Sequence, residues 1–532
     1  MNSKLTVSSS TSALKDGPRK DSVVSIEAVP GTKAYCPRIG LEMEMVVAHA
    51  QTCVSQPVET YFDALRSIKE KRGVACESST LSGRCVGIET PIAMCGLDNG
   101  FNLLETSLAP VDGRSGGMQR MADLAHQELA DTLDALKGDQ ACILNASQHP
   151  ACPRDAHWYA RVCVPRPIYE ELRGYRGWHH WEGIDAKAQN GANTSVPINQ
   201  AVDALNVAVA LAPASIALFA NSPIESGQVT GLKENRMTLW QRVFGPAKFS
   251  GDLYLCSYPE RPFRDMGDFF LWMFGPGTVT RGLPPVPSYD YKGVATVLLD
   301  GDPCLLNFLQ APQWLGRRSD NNRVVRLVPN THHFEYSQIA QFLDARLRYR
   351  FGALPPLPEL MAAWRSEGGL EALFGAYDAQ VYIEGRAPAA GFADACLLSE
   401  AGANVAQSVL LAPSALQAGL LANLADAGML VKEWGWQRLG GLRQTAMRAG
   451  LDDAEVKALC ADVLAVARAG LSPFDQRWLA YAEFIEASGR TGADRLLDTW
   501  ESAGGTQSNR LAALLPRHAA LHPDQFGSLP QQ

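Results

Sequence analysis

The chain has no excess of positive charge, no long apolar run and no paired cysteines, and each lack removes a class of function. Its 532 residues carry a formal net charge of −8, so there is no basic footprint to hold nucleic acid or an anionic membrane surface. The most apolar stretch, residues 207–220, contains Pro213 and Ser215. It is too short to span a bilayer and reads as a buried helix. Twelve cysteines are scattered without a C-x-x-C pair. A chain of this length needs no disulfide staples, so a reduced, cytoplasmic setting with buried thiols is expected. Cys76, Cys85 and Cys95 lie close in sequence, and a regulatory disulfide there is the alternative to free thiols.

Several motifs are also missing. There is no G-x-x-x-x-G-K-[ST] and no G-x-G-x-x-G after a strand, so neither a phosphate loop nor a dinucleotide fold is indicated. No G-x-S-x-G nucleophile elbow occurs. Nor is there an H-E-x-x-H or a cysteine–histidine group at zinc spacing. The pairs His179-His180 and His332-His333 would point to opposite faces of a strand, and ordinary structural roles are expected for them.

What is present centres on Arg38-Ile-Gly-Leu-Glu-Met-Glu-Met-Val46. Read as a strand, it puts Ile39, Leu41, Met43, Met45 and Val47 on one face and Arg38, Glu42, Glu44 and Val46 on the other. Glu42 and Glu44 then lie roughly 6.5–7 Å apart along the strand, too far to share a proton but suited to holding divalent cations between oxygens. A buried carboxylate pair needs metal or basic partners; the other reading of these nine residues is the solvated face of an edge strand. Further acids on strand-like segments are Glu105, with Asp98 and Glu89 nearby, and Glu384 beside Arg386.

Along the chain, residues 1–34 read as a flexible arm rich in Ser, Thr, Lys, Pro and Gly, without a signal peptide. Residues 58–71 have helical spacing, and 86–92 and 101–108 read as strands joined by a turn over 96–100. Met118, Met121, Leu124, Ala125, Leu129 and Leu136 mark an amphipathic helix. A short strand is expected over 141–146, a polar connection over 183–194, a strand over 195–199, and a helix over 201–220 kinked at Pro213. Residues 275–330 read as a long excursion with one strand, 295–299. Residues 380–386 alternate as a strand, 393–470 is dominated by helices, and a polar tail occupies 511–532. Strands interrupted by long helices, without βαβ units, indicate an α+β catalytic domain over 35–510.

Ala217-Leu-Phe-Ala-Asn-Ser-Pro-Ile-Glu-Ser-Gly-Gln-Val-Thr-Gly, followed by Arg236-Met-Thr-Leu-Trp240, resembles the glutamate–cysteine ligase family in its plant and proteobacterial form. Gly40-Leu-Glu-Met-Glu-Met is similar to the family's opening G-x-E-x-E strand, Leu104-Glu-Thr-Ser-Leu-Ala-Pro110 to its F-E-L-S-G-A-P strand, and Tyr382-Ile-Glu-Gly-Arg386 to its Y-L-E-M-R strand. Val463-Leu-Ala-Val-Ala-Arg-Ala-Gly and Gly492-Ala-Asp-Arg-Leu-Leu-Asp resemble its closing helices, so the likeness spans roughly 36–505.

The resemblance implies a curved, mainly antiparallel sheet forming a funnel, related to glutamine synthetase and wrapped by helices. It also implies a reaction: ATP phosphorylates the side-chain carboxylate of glutamate, and the amine of cysteine displaces phosphate. On that basis Glu42, Glu44, Glu105 and Glu384 are expected to ligate Mg2+, with Glu44, Glu384 and Arg386 catalytic. Arg386 and Arg236 are expected to contact anionic groups, and Asn199 and Asn221 to bind substrate or ATP, although Asn221 and Ser222 also suit a helix end and turn. The expected partners are ATP, glutamate and cysteine or another amine, with neither nucleic acid nor membrane, in a monomer or homodimer. The chain departs from the family at Ser195-Val-Pro-Ile-Asn199, where Pro197 replaces a polar residue, at Gly385, and at Ala387-Pro-Ala. These departures leave the acceptor amine and the carboxylate substrate open; the alternatives are a ligase of the same mechanism joining glutamate or a similar acid to a different amine, and a non-catalytic nucleotide- or amino-acid-binding relative.

Overall fold

The computed structural model describes residues 37–114 and 116–526; the expected arm over 1–34 lies outside them. The strands, in chain order, are β1 (Arg38–His49), β2 (Glu77–Leu81), β3 (Arg84–Glu89), β4 (Ala93–Leu97), β5 (Leu103–Leu108), β6 (Val111–Asp112), β7 (Ala141–Ile143), β8 (Asn190–Ser195), β9 (Ile224–Glu225), β10 (Gln228–Val229), β11 (Val297–Leu299), β12 (Trp314–Arg318), β13 (Val324–Leu327), β14 (Ala345–Arg350) and β15 (Gln380–Gly385). The main sheet runs β14-β15-β8-β1-β5-β4-β3-β2, with β6 and β7 also on β1. Its neighbours pair antiparallel throughout. The α+β class and mainly antiparallel sheet expected from the sequence are observed.

β1 lies at the centre because its alternation suits it to that place. Ile39, Leu41, Met43, Met45 and Val47 are all buried, and helices Gly117–Leu136 and Ala412–Ala422 pack on β1. Burying each such side chain contributes about 1.5–3 kcal/mol, which fixes the register and sends Glu42 and Glu44 to the opposite face. Helix Ala201–Ala210 packs on β14 and β15. It is followed by helix Ala212–Leu218, which has Pro213 in its first turn, and the pair bends by 47°. The kink falls where proline would break the hydrogen-bond ladder. Among the described residues no single helix is long and apolar enough to cross a membrane.

Some elements differ from the sequence reading. The strand expected over 195–199 lies earlier, at β8, inside the segment read as a polar connection; residues 198–200 form a 3-10 turn led by Pro197. β4 occupies residues read as the approach to a turn, and β14 had no counterpart among the expected elements. The 275–330 excursion holds a three-stranded sheet, β11-β12-β13. In the expected tail, helix Gln507–His518 docks through Leu511, Leu514 and His518. The His518 ring meets Asp394 Oδ2 at 2.9 Å and Thr499 Oγ1 at 2.8 Å, so this segment is bound to the body. All described cysteines are free thiols.

Candidate active site

Sheet register assembles one polar face. Residues directly opposed across antiparallel strands point the same way. Glu44 faces Glu105 and Glu42 faces Ser107 across β5; Glu42 faces Gly191 across β8. Glu384 faces Asn193 on β8 and Arg346 on β14, while Tyr382 faces Arg348. The acids of three separate segments therefore share a face, as the sequence pattern required. Gly191 provides room, since a Cβ there would lie 3.4 Å from Glu42 Cβ and 3.5 Å from its Oε2.

This face divides by charge. At one end stand Glu42, Glu44, Glu105 and Asp98. Ser107 Oγ donates to Glu42 Oε1 (3.1 Å) and the Gln189 N–H donates to Glu44 Oε2 (3.0 Å). Lys187 Nζ lies 3.7 Å from both Glu44 Oε2 and Asp98 Oδ2, and Lys292 Nζ donates to Glu105 Oε2 (2.9 Å). Burial, with the neighbouring Glu105, Glu384 and Glu44, pushes the Glu42 carboxyl well above its usual range. Burial also raises Glu44 to about 7, although Lys187 pulls the other way. Burial opposes ionisation of Asp98 too, but there Lys187 and Lys292 outweigh it and the pKa falls below its usual value.

At the other end Glu384 is held by three guanidinium groups. Arg386 Nη1 lies 3.0 Å and Arg346 Nη1 3.3 Å from its Oε1, and Arg348 Nε lies 3.6 Å from its Oε2. Burial works against its charge, yet Arg346, Arg348 and Arg386 bring its pKa down to about 2. Burial, with Arg386 beside it, pulls Arg346 down to about 9. Three cations around one anion leave this end short of negative charge. Trp240 stands between the two ends, its ring centroid 5.3 Å from Lys187 Nζ and 5.7 Å from the Arg386 guanidinium carbon, within cation–π range of both.

The surroundings of Glu384 and Arg236 bear on the roles expected of them. Of the four carboxylates expected to ligate Mg2+, Glu42, Glu44 and Glu105 stand at the acidic end, while Glu384 is paired with three guanidinium groups at the basic end. Among the described residues no three His, Cys, Asp or Glu side chains form a ready metal cluster. Arg236 is held within the protein by part of its donor set. Its Nε donates to Glu234 Oε1 (2.9 Å) and its Nη2 to the Ala387 carbonyl (2.7 Å). It ties the segment after helix Ala212–Leu218 to the chain leaving β15.

Of the two expected asparagines, one is engaged in the interior and the other is exposed. Asn221 is buried, donating to Asn145 Oδ1 and the Ala390 carbonyl (both 3.1 Å) while its N–H donates to Glu234 Oε2 (2.8 Å). Asn199 is exposed in the turn beyond β8. His180 is buried against Tyr159, whose hydroxyl lies 3.0 Å from Nδ1, and His333 joins a helix cap; both are structural, as expected.

Sequence reasoning missed Arg346 and Arg348, although Arg346-Leu-Arg-Tyr-Arg350 alternates as clearly as the β1 segment. Lys187 and Lys292 come from irregular segments and carry no such signal. A surface cleft lined by Asp265, Trp364 and Arg365 contains none of the residues of this face.

The acidic end of the face rests on β1 and β5, within a stretch that also matches a known family, whereas the basic end, on β14 and β15, lies beyond that stretch. Residues 38–253 match the family model described as Glutamate-cysteine ligase family 2 (GCS2), so the resemblance read from the sequence is borne out over that stretch. Among solved structures, the chain is similar to the glutamate–cysteine ligase of Francisella tularensis in complex with AMP, with 13% identity, 94% of this chain and 90% of that chain covered, and a TM-score of 0.46. It is also similar to a bifunctional glutathione synthetase from Pasteurella multocida, with 14% identity, 92% of this chain covered and a TM-score of 0.38; it spans 52% of that chain. No curated protein matches the chain.

Proposed function

We propose that the protein is an ATP- and Mg2+-dependent ligase that joins the γ-carboxylate of glutamate to the amine of cysteine through an acyl phosphate, releasing ADP and phosphate in the cytoplasm. The observation that carries this reading is the charge division of one sheet face, whose carboxylates Glu42, Glu44 and Glu105 lie in the segment that matches the family model while its arginines lie beyond it. Transferring a phosphoryl group to a carboxylate brings two anions together, so it needs cationic charge along the transferred group and fixed geometry.

The donor chemistry at the acidic end suits a hard divalent cation, which would have to draw Glu42, Glu44 and Glu105 together, since they form no ready cluster as they stand. Glu42 and Glu44 present carboxylate oxygens whose charge burial has left poorly compensated, and Glu105 adds a third. These three residues would hold Mg2+, which when bound supplies charge neutralisation for the nucleotide phosphates. Arg346, Arg348 and Arg386 neutralise the oxyanions of the transferred phosphoryl group and of the glutamate carboxylate. Glu384 keeps the three guanidinium groups oriented. Glutamate's γ-carboxylate oxygen attacks the γ-phosphorus and ADP leaves. The amine nitrogen then attacks the acyl carbon, and the C–O bond to phosphate breaks as the nitrogen loses its proton.

A second reading changes only the acceptor. Gly385, Ala387 and Pro388 follow Glu384 where the family has a bulkier residue and Gly-Ala-Asp. Gly385 also faces Gln417, whose Nε2 donates to the Ala192 (2.9 Å) and Ile383 (3.1 Å) carbonyls. This local rebuilding favours testing other amines beside cysteine. ADP release with ATP and glutamate, measured across a panel of amines and followed by mass spectrometry of the product, distinguishes the two. Stimulation by cysteine with a γ-glutamylcysteine mass supports the first reading. Stimulation by another amine alone supports the second. ATP binding with no ADP release under any amine sinks both.

A further inference from the structure

The loop between Gly282 and β11 is closed at its base and carries a lysine into the acidic end of the face. Leu283 and Val297 bridge antiparallel, the Leu283 N–H donating to the Val297 carbonyl (3.0 Å) and the Val297 N–H to the Leu283 carbonyl (2.7 Å). Residues 284–296 thus form an Ω-type strap whose ends are fixed.

Its outer part, residues 286–290, is held by few contacts, while Tyr291 and Val294 on the return pack against the hydrophobic core. The Ser288 N–H donates to His332 Nε2 (2.8 Å), and the Arg350 guanidinium lies 4.5 Å from the Tyr289 ring centroid. Asp290 turns inward on the strap, Oδ1 accepting from the Gly293 N–H (2.8 Å). Val286 and Tyr289 are 65% and 57% exposed, so the tip is not packed down. The contact that reaches the acidic end is Lys292, 2.9 Å from Glu105 Oε2 and 4.0 Å from Asp98 Oδ1; Tyr291 beside it lies near Arg346 and Arg348 at the basic end.

We propose that Lys292 is a tethered counter-ion that holds the strap 284–296 closed over Glu105 and Asp98 until a divalent cation replaces it, so that cation loading and strap opening are one event. The proposal rests on the reading of Glu42, Glu44 and Glu105 as cation ligands. An ammonium at hydrogen-bond distance from a carboxylate oxygen both occupies that oxygen and repels an incoming dication across a poorly screened gap. Lys187 stays on the other side of Asp98, so exchanging Lys292 for a doubly charged ion leaves the cluster closer to neutral. The fixed base at Leu283 and Val297 allows the tip to lift without unfolding the small sheet behind it.

The test is Mn2+ binding to the full chain, read from the electron paramagnetic resonance signal of free Mn2+, for the unaltered protein and for Lys292→Met. The variant should bind Mn2+ at least about tenfold more tightly, having lost a competing positive charge. His332→Gln, which loosens the strap away from the acids, should tighten binding by roughly two- to fivefold for the same reason. In the unaltered protein, Mn2+ should speed tryptic cleavage after Lys292. Both variants are to be compared only where their melting curves show a folded state, with Lys292→Gln as the substitute if Lys292→Met does not fold. Equal or weaker Mn2+ binding in the variant, or protection of the strap by Mn2+, overturns the counter-ion while leaving the ligase reading in place. Absence of Mn2+ binding in every form overturns both.

Discussion

The two ends of the polar face are built by one device and charged in opposite senses. At each, polar side chains two residues apart stand on antiparallel strands and are brought into line by register: Glu42 and Glu44 on β1, Arg346 and Arg348 on β14. Burial then acts on what is there. Among carboxylates it lifts Glu44 to about 7; among guanidinium groups it lowers Arg346 to about 9, while the one carboxylate in their midst, Glu384, drops to about 2. Each end is left short of an ion of the opposite sign. A site that must hold a cation and several oxyanions in one reaction needs this separation, because mixing the acids and bases evenly would let them neutralise one another.

The comparison is broken most sharply by removing charge from the acidic end. Glu44→Gln should lower ADP formation by on the order of 10³-fold or more, the scale of removing a preorganised electrostatic partner, while circular dichroism stays unchanged. An active Glu44→Gln protein would remove the site assignment. Next in size, Arg386→Lys should cost about 10²-fold in kcat/KM, since one ammonium cannot reproduce a forked contact with oxyanions. Arg348→Met should act in the same direction, with a rise in KM for ATP or glutamate.

Stability separates the ends again, with opposite signs. Glu44 is raised from 4.5 to about 7, so the folded state holds its proton more tightly than the unfolded chain does. Its contribution to stability is therefore lost as pH rises through about 7. Glu44→Gln should accordingly melt higher than the unaltered protein at pH near 8 without divalent cations, by on the order of 1–3 kcal/mol. Glu384 is lowered from 4.5 to about 2, so its contribution is present above the unfolded value and disappears as pH falls towards the folded one. Glu384→Gln should melt lower at neutral pH, by a similar order of 1–3 kcal/mol, and the difference should vanish in acid. Thermal melts across pH check both, and two shifts of the same sign would contradict the division.

The acidic end was legible in the sequence because β1 is amphipathic: its apolar face announces the strand, and the strand fixes where Glu42 and Glu44 point. The same alternation in β14 would have exposed Arg346 and Arg348. β8 was illegible for a physical reason. It lies at the centre of the sheet, yet Asn190-Gly-Ala-Asn-Thr-Ser195 has no β-branched or aromatic alternation, since residues beside Glu42 and Glu384 must be small or polar. Local pattern there reads as a turn, and only pairing on both sides makes it a strand. The partners of Arg236 were illegible for a related reason: Glu234 and the Ala387 carbonyl could be paired with it only by the fold. The helix Gln507–His518 escaped notice because its two inward leucines, Leu511 and Leu514, sit among polar neighbours.

The smallest expected effect tests the room left between the strands. Gly191 is not required by backbone strain, and an added Cβ would meet Glu42 Cβ at 3.4 Å and Oε2 at 3.5 Å, ordinary van der Waals distances. Gly191→Ala should therefore fold with a change within about 0.5 kcal/mol. The methyl would nonetheless stand against the carboxylate that burial has already made reluctant to ionise, removing space for solvent and for rotation of Glu42. Divalent-cation affinity should fall by roughly two- to fivefold, with kcat recovered at saturating Mg2+. A matching change in kcat that excess cation does not restore would mean that Glu42 touches the reacting groups directly, which would move it from holding the cation to the chemistry itself.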